Sequence, residues 1–288
     1  MRIAHAPSQL ERQPRAVAIG TFDGVHRGHL SVLRSVLDSG LEPTVVTFDP
    51  HPRVALGNRV EQVTTLARRL ELLASSGVAG TLVAHFTPEL QRLEPEDFAE
   101  TYLRGIGAKA VAAGPDFRFG RRRRGDLALL ERLGFEILPV EVVPDASSTR
   151  IREAIREGDV VAAARMLGRP YELDGTVVAG DQRGGQLGYP TANIALDPQL
   201  LCPSDGVFAG AALGHRAAVS VGTNPHYGGT ERRIEPFLLD FEGDLYGTRL
   251  VVELWQRLRD QQVFGSEQAL VHQIGVDVET TRSAVRPV

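Results

Sequence analysis

Cysteine is almost missing from this 288-residue chain: Cys202 stands alone, which excludes an internal disulfide and any cysteine-built zinc cluster and fits a reducing, cytoplasmic setting. Lysine is equally scarce, Lys109 being the only one among 32 Lys+Arg residues. No Gly-x-x-x-x-Gly-Lys-Ser/Thr string occurs, so any nucleotide chemistry must rest on histidine, arginine, backbone amides and metal instead of a P-loop lysine. Long apolar runs are lacking too, so no stretch reads as a bilayer span, and residues 1–15 have no apolar core of a secretory signal. Nor is there an excess of positive charge. Residues 1–168 carry 22 basic and 21 acidic groups and residues 169–288 carry 10 and 15, so neither half resembles a nucleic-acid-binding domain. Small-molecule partners are expected, with no nucleic acid and no membrane; oligomeric state leaves no signature.

What is present divides into two halves. In the first, apolar runs at 16–19, 44–48, 80–86, 109–113 and 136–140 read as strands. Segments 28–38, 66–75, 95–103 and 126–133 carry apolar residues at helical spacing, with Gly40, Gly77 and Gly134 placed to end helices. This strict alternation predicts an α/β doubly wound parallel sheet, whose ligands sit beyond the carboxyl ends of the strands. Two short helices follow at about 150–157 and 160–167, punctuated by Gly158 and Gly168. From Tyr171 onward the runs are short, glycine-rich and strand-like with no helix between them, which predicts a small antiparallel β-barrel, closed by a terminal amphipathic helix at about 266–282. The expected domains are 1–168 and 169–288.

Chemistry concentrates in a few strings. The strand at 16–19 runs into Gly20-Thr21-Phe22-Asp23-Gly24-Val25-His26-Arg27-Gly28-His29, where a helix is expected to begin. A helix N-terminus offers unpaired N–H groups and a partial positive charge to an anion, and residues three apart share a helix face. His26 and His29 can therefore address one phosphate group, and Gly24 and Gly28 permit close backbone approach. Ser147-Ser148-Thr149-Arg150-Ile151-Arg152 opens another helix with hydroxyls and a guanidinium, good ligands for a triphosphate. In the second half, the run from Gly180 through Arg183 and Gly188 to Pro190-Thr191-Ala192-Asn193 reads as a flexible loop able to wrap phosphates. It ends on a Thr hydroxyl and an Asn carbonyl, hard oxygen donors suited to Mg²⁺. A plain glycine-rich turn between strands is the competing reading of that passage.

The His-x-Gly-His and Ser-Ser-Thr-x-x-Arg elements resemble those of a nucleotidyltransferase superfamily. The fuller strings, together with Thr47-Phe48-Asp49-Pro50-His51-Pro52 and Asp116-Phe117-Arg118-Phe119-Gly120, resemble the FAD synthetase module of bacterial bifunctional riboflavin kinase/FAD synthetases. Pro190-Thr191-Ala192-Asn193, Gly222-Thr223-Asn224-Pro225 and Glu235 ahead of Leu238-Leu239-Asp240-Phe241 resemble the riboflavin kinase family in order and spacing. The resemblance implies a Rossmann-like nucleotidyltransferase domain followed by a riboflavin kinase barrel. ATP phosphorylates riboflavin to FMN in the second, and a further ATP adenylylates FMN to FAD with release of pyrophosphate in the first, both with Mg²⁺.

By the same resemblance His26 and His29 stabilise charge at the α-phosphorus, and Ser148, Thr149 and Arg152 hold the triphosphate. Gly20, Phe22, Asp23, Gly24 and Gly28 form the ATP loop, and Asp116 and Phe117 meet the flavin. In the kinase half, Thr191 and Asn193 hold Mg²⁺, Gly180, Arg183, Gly188 and Pro190 meet ATP, Asn224 meets flavin, and Glu235 is the general base. Arg121-Arg122-Arg123-Arg124 departs from the family pattern, with Arg122 where glycine is common. Two alternatives are an enzyme that retains only one activity and a non-catalytic flavin-binding protein. The joint presence of His26, His29, Thr191, Asn193 and Glu235 argues against both, since a binder need not keep all five.

Overall fold

Short Val/Ala/Ile-rich runs, buried on both faces in the central strands, form the first sheet. Its strands are β1 (Arg2–Ala4), β2 (Arg15–Ile19), β3 (Glu42–Asp49), β4 (Gly80–His85), β5 (Ala108–Ala112) and β6 (Glu136–Ile137). They pair in parallel in the order β1-β4-β3-β2-β5-β6. Every residue of β2 is buried, as a central strand of a doubly wound sheet requires. From β2 the chain builds outward through β3 and β4 on one side and through β5 and β6 on the other. The order therefore reverses between β2 and β5, and the loops after these two strands leave from the switch point where such sheets bind ligands.

The connecting helices are α1 (Arg27–Leu37), α2 (Pro52–Ala55), α3 (Leu66–Ser75), α4 (Pro88–Arg92), α5 (Pro95–Phe98) and α6 (Leu127–Arg132). Gly40, Gly77 and Gly134 all take positive φ, as helix-ending residues do. Two local expectations are corrected, and one strand is added. The strand expected to reach 140 ends at Ile137, close to Pro139, which has no N–H to offer a ladder. The helix expected over 95–103 gives way after Phe98 to a π-helical turn. The three-residue edge strand β1, too short to show periodicity, adds to β4.

The computed structural model describes residues 1–180, 183–223 and 232–288. It divides into two units, Met1–Val60 with Leu66–Ala146, and Glu61–Thr65 with Ser147–Val288. The second unit begins with α7 (Ser148–Glu157) and α8 (Val160–Leu167) and continues with β7 (Tyr171–Val178), α9 (Arg183–Gln186), β8 (Asn193–Leu196), β9 (Gly206–Ala212), β10 (His215–Gly222), β11 (Arg233–Leu238), β12 (Arg249–Arg259) and α10 (Glu267–Ser283). Its strands pair antiparallel in the order β11-β10-β9-β12-β7-β8. The Ala192 N–H donates to the Pro236 carbonyl at 3.0 Å and draws the two edge strands together, so the sheet closes into a barrel.

Packing thus divides the chain earlier than residue 168. Ile151, Ile155, Val160, Ala163 and Leu167 of α7 and α8 share one core with Leu173, Phe208 and Leu254 of the barrel strands. Residues 61–65 belong to the same unit: the Gln62 N–H donates to the Gln199 carbonyl at 2.6 Å, the Leu201 N–H to the Gln62 carbonyl at 2.8 Å, and Val63 enters the core. The terminal helix α10 buries Asp277, Val278 and Thr281, a more polar face than an amphipathic pattern predicts. Asp277 is bound there by Arg259 at 2.7 Å.

Candidate active sites

The loop after β2 is tightly folded. Phe22 and Val25 hold φ of 50° and 39°, left-handed values uncommon outside glycine, and the Val25 N–H donates to the Phe22 carbonyl at 3.0 Å. Thr47 Oγ1 donates to the Thr21 carbonyl at 3.0 Å, tying the loop to β3. His26 is the N-cap of α1, its Nδ1 accepting from the His29 N–H at 3.3 Å. The two imidazoles stack with centroids 3.6 Å apart and planes 16° from parallel, and Phe22 backs His29 at 5.1 Å. The two rings therefore lie side by side at a helix start. A Cβ on Gly28 would stand 3.1 Å from His26 Cε1 and 3.2 Å from the Ala146 carbonyl oxygen, so glycine lets the backbone pass both.

Other expected residues of this loop have a different character. Phe22 and Asp23 are 1% exposed, which fits shaping the loop more than touching a ligand. Asp116 is exposed, and Phe117 stacks on Phe119 at 5.5 Å in the loop that leaves β5 at the switch point. That loop is pinned by paired backbone bonds between Phe119 and Gly125 at 3.0 and 2.9 Å. At its tip Arg122 takes φ 52°, which explains why glycine is the expected residue there.

Ser148, Thr149 and Arg152 lie on α7, whose N-cap is Ser147, accepting from the Arg150 N–H. Arg152 is buried, and its Nε donates to the Glu61 carbonyl at 2.7 Å, so one of its donors is committed to the protein.

In the barrel, closure at Ala192 and Pro236 brings Thr191 and Asn193 beside Glu235, sites more than forty residues apart in the chain. Strand alternation sets their direction: Ile194, Ile234 and Pro236 are buried, whereas Asn193 and Glu235 lie half-buried on the opposite face. Tyr189 meets Phe237 edge-on at 5.4 Å on that side. Opposite Glu235 in the ladder stands Ser220.

The glycine loop presses on the same residues. A Cβ on Gly180 would fall within 3.0 Å of three atoms of the Asn193 side chain, and one on Gly184 would lie 3.1 Å from Thr191 Oγ1. Gly188 has φ 85° and Pro190 leads into Thr191. The hydroxyl and amide oxygens fit a hard cation such as Mg²⁺ that takes most of its ligands from phosphates and water. The Arg183 side chain and all of Asn224 lie outside the described residues.

Sequence reasoning missed Arg69 of α3, which is 0% exposed beneath the first loop. The available signal was an arginine within the apolar stripe Leu66, Leu70 and Leu73. Burial pulls its pKa down, while Asp23 and Asp49 act to raise it.

Comparisons with known proteins find two family modules in the chain. A FAD synthetase family model matches residues 8–153, and a riboflavin kinase family model matches residues 167–285. Relatives called bifunctional riboflavin kinase/FMN adenylyltransferase include one from Listeria monocytogenes, 35% identical over 93% of this chain and 92% of its own length. Another, from Escherichia coli K12, is 33% identical over 98% and 96%. A crystal structure named as a macrolide-efflux protein from Streptococcus pneumoniae superposes with a TM-score of 0.87 at 32% identity, covering 98% of this chain and 99% of that one. Among the described residues no helix is long and apolar enough to cross a membrane. With relatives above 30% identity along nearly its whole length, the chain belongs to the bifunctional riboflavin kinase/FMN adenylyltransferase family.

Proposed function

We propose that the chain carries out two consecutive ATP-dependent reactions, phosphorylation of riboflavin to FMN on the barrel and adenylylation of FMN to FAD at the His26/His29 loop. The observation that supports this reading is the presence of two separately built constellations of groups able to bind phosphate: stacked histidines at a helix start in one unit, and Thr191, Asn193 and Glu235 gathered at a barrel seam in the other.

In phosphorylation, Glu235 accepts the proton of the riboflavin 5′-hydroxyl as that oxygen attacks the γ-phosphorus of ATP and ADP departs. Thr191 and Asn193 hold Mg²⁺, which when bound neutralises charge on the phosphates. Gly180, Gly188 and Pro190 shape the phosphate loop, and Arg183 and Asn224 are assigned to ATP and to the flavin on their motif alone.

In adenylyl transfer, an FMN phosphate oxygen attacks the α-phosphorus of ATP and pyrophosphate leaves, with no covalent enzyme intermediate. His26 and His29 stabilise the developing charge, acting with the α1 N-terminus. Gly20, Phe22, Asp23, Gly24 and Gly28 give the loop its shape. Ser148, Thr149 and Arg152 are assigned to the triphosphate and the departing pyrophosphate on their motif, and Asp116 and Phe117 to the flavin. Catalysis here is positioning and electrostatics.

The test is incubation of the purified chain with riboflavin, ATP and Mg²⁺, following FMN and FAD by chromatography. FMN should appear first and FAD after it. FMN without FAD would reduce the chain to a kinase, and absence of turnover would leave a flavin binder.

A further inference from the structure

Arg69 has no part in the two reactions as assigned, yet it is a fully buried charge under one of the two sites. It stands on the core-facing side of α3, and its Nη1 donates to the Phe48 carbonyl at 3.3 Å, next to Asp49 at the carboxyl end of β3. Thr47, one residue before that carbonyl, ties the loop that follows β2 to the same end of β3, and Asp23 of the loop is buried. A loop that must receive a triphosphate thus contains one buried carboxylate and adjoins a second. Unbalanced, these two charges would repel the ligand. The loop also keeps Phe22 and Val25 in left-handed conformations, which persist only where surrounding structure enforces them.

We propose that Arg69 is a positioning residue for adenylyl transfer, which from beneath the loop neutralises Asp23 and Asp49 and holds the His26/His29 end in a form that accepts a nucleoside triphosphate. The proposal rests on the assignment of adenylyl transfer to this unit. It acts through charge balance, so it separates from simple packing. Packing would be met by any side chain of similar volume; charge balance would not.

The experiment uses the full chain and measures FMN adenylylation and riboflavin phosphorylation on the same preparation. Wild-type protein that forms no FAD would sink the adenylyl-transfer assignment and not the role of Arg69. Arg69→Met is expected to raise the KM for ATP in FAD synthesis about tenfold or more while leaving the KM for ATP in riboflavin phosphorylation unchanged. Adding Asp49→Asn to that variant removes one uncompensated charge and is expected to recover a large part of the lost kcat/KM. A wild-type KM in Arg69→Met, or no recovery from Asp49→Asn, overturns the proposal. Arg69→Lys keeps the charge with fewer donors and is expected to raise the KM for ATP about two- to fivefold. It decides the question should the methionine variant fail to fold: a rise of about tenfold or more, the scale set for the uncharged variant, would show that keeping the charge is not enough and would overturn the proposal.

Discussion

Replacing Gly180 by alanine is expected to disable riboflavin phosphorylation and spare FMN adenylylation. The φ of Gly180 lies outside the left-handed range, so alanine brings no backbone strain and the effect is steric. The added Cβ would stand 2.8 Å from Asn193 Oδ1, and nearer still to Cγ and Nδ2, where ordinary contact begins at 3.4 Å. The amide must therefore retreat by on the order of 1 Å, the scale of misplacement that costs about 10²-fold in rate when a reacting group loses alignment. Asn193 is held from its other side by the β7 pairing of Val178 with Asn193, so retreat also loosens the start of β8. The assay is steady-state phosphorylation of riboflavin across a range of Mg²⁺ concentrations, with FAD formation from supplied FMN on the same sample as the control. Loss of kcat in the first, partly recovered at high Mg²⁺, with an unchanged second, is the expected outcome. Normal phosphorylation by Gly180→Ala would show that Asn193 can move without consequence and is no ligand.

Three further outcomes are expected. His29→Ala should lower FAD formation by about 10²- to 10³-fold while FMN accumulates from riboflavin; loss of the first phosphorylation instead would refute the division of labour. Glu235→Gln should cut riboflavin phosphorylation by about 10²- to 10⁴-fold and leave adenylylation of supplied FMN intact, which chromatography of both products checks. Cys202 packs against the barrel core, and burial pushes its thiol up from 9.0 to about 11. The unfolded chain releases this proton first, so stability from this group is full below pH 9 and falls as pH rises toward 11, by at most about 3 kcal/mol. Urea unfolding at pH 8.5 and 10.5 should show a smaller pH-dependent loss in Cys202→Ala than in wild type, and equal losses would contradict this.

Fold class was legible because both halves have strong periodicity. The first sheet follows from apolar strands alternating with helices, and α3 occupies the expected residues 66–75. Less legible were elements whose existence depends on a partner. The strand β1 has three residues and exists by pairing with β4, and β8 was hidden in a passage that reads as a loop until β7 pairs with it. The helices α7 and α8 showed their caps plainly, but not their allegiance, because an apolar face does not say which core it will enter.

The sequence by itself determined which chemistry was open: the single lysine removed a P-loop mechanism, and the family resemblance of the histidine pair and the Pro-Thr-Ala-Asn string nominated the residues proposed for two phosphate reactions. It also settled which of them share a local element, since spacing along one helix places His26 beside His29. Only the tertiary structure decided which distant residues meet. Barrel closure carries Glu235 to Thr191 and Asn193, and the packing of α3 sets Arg69 under a loop more than forty residues upstream. The physical reason is that local spacing acts through covalent geometry, whereas these encounters depend on where whole strands and helices find apolar surface to bury.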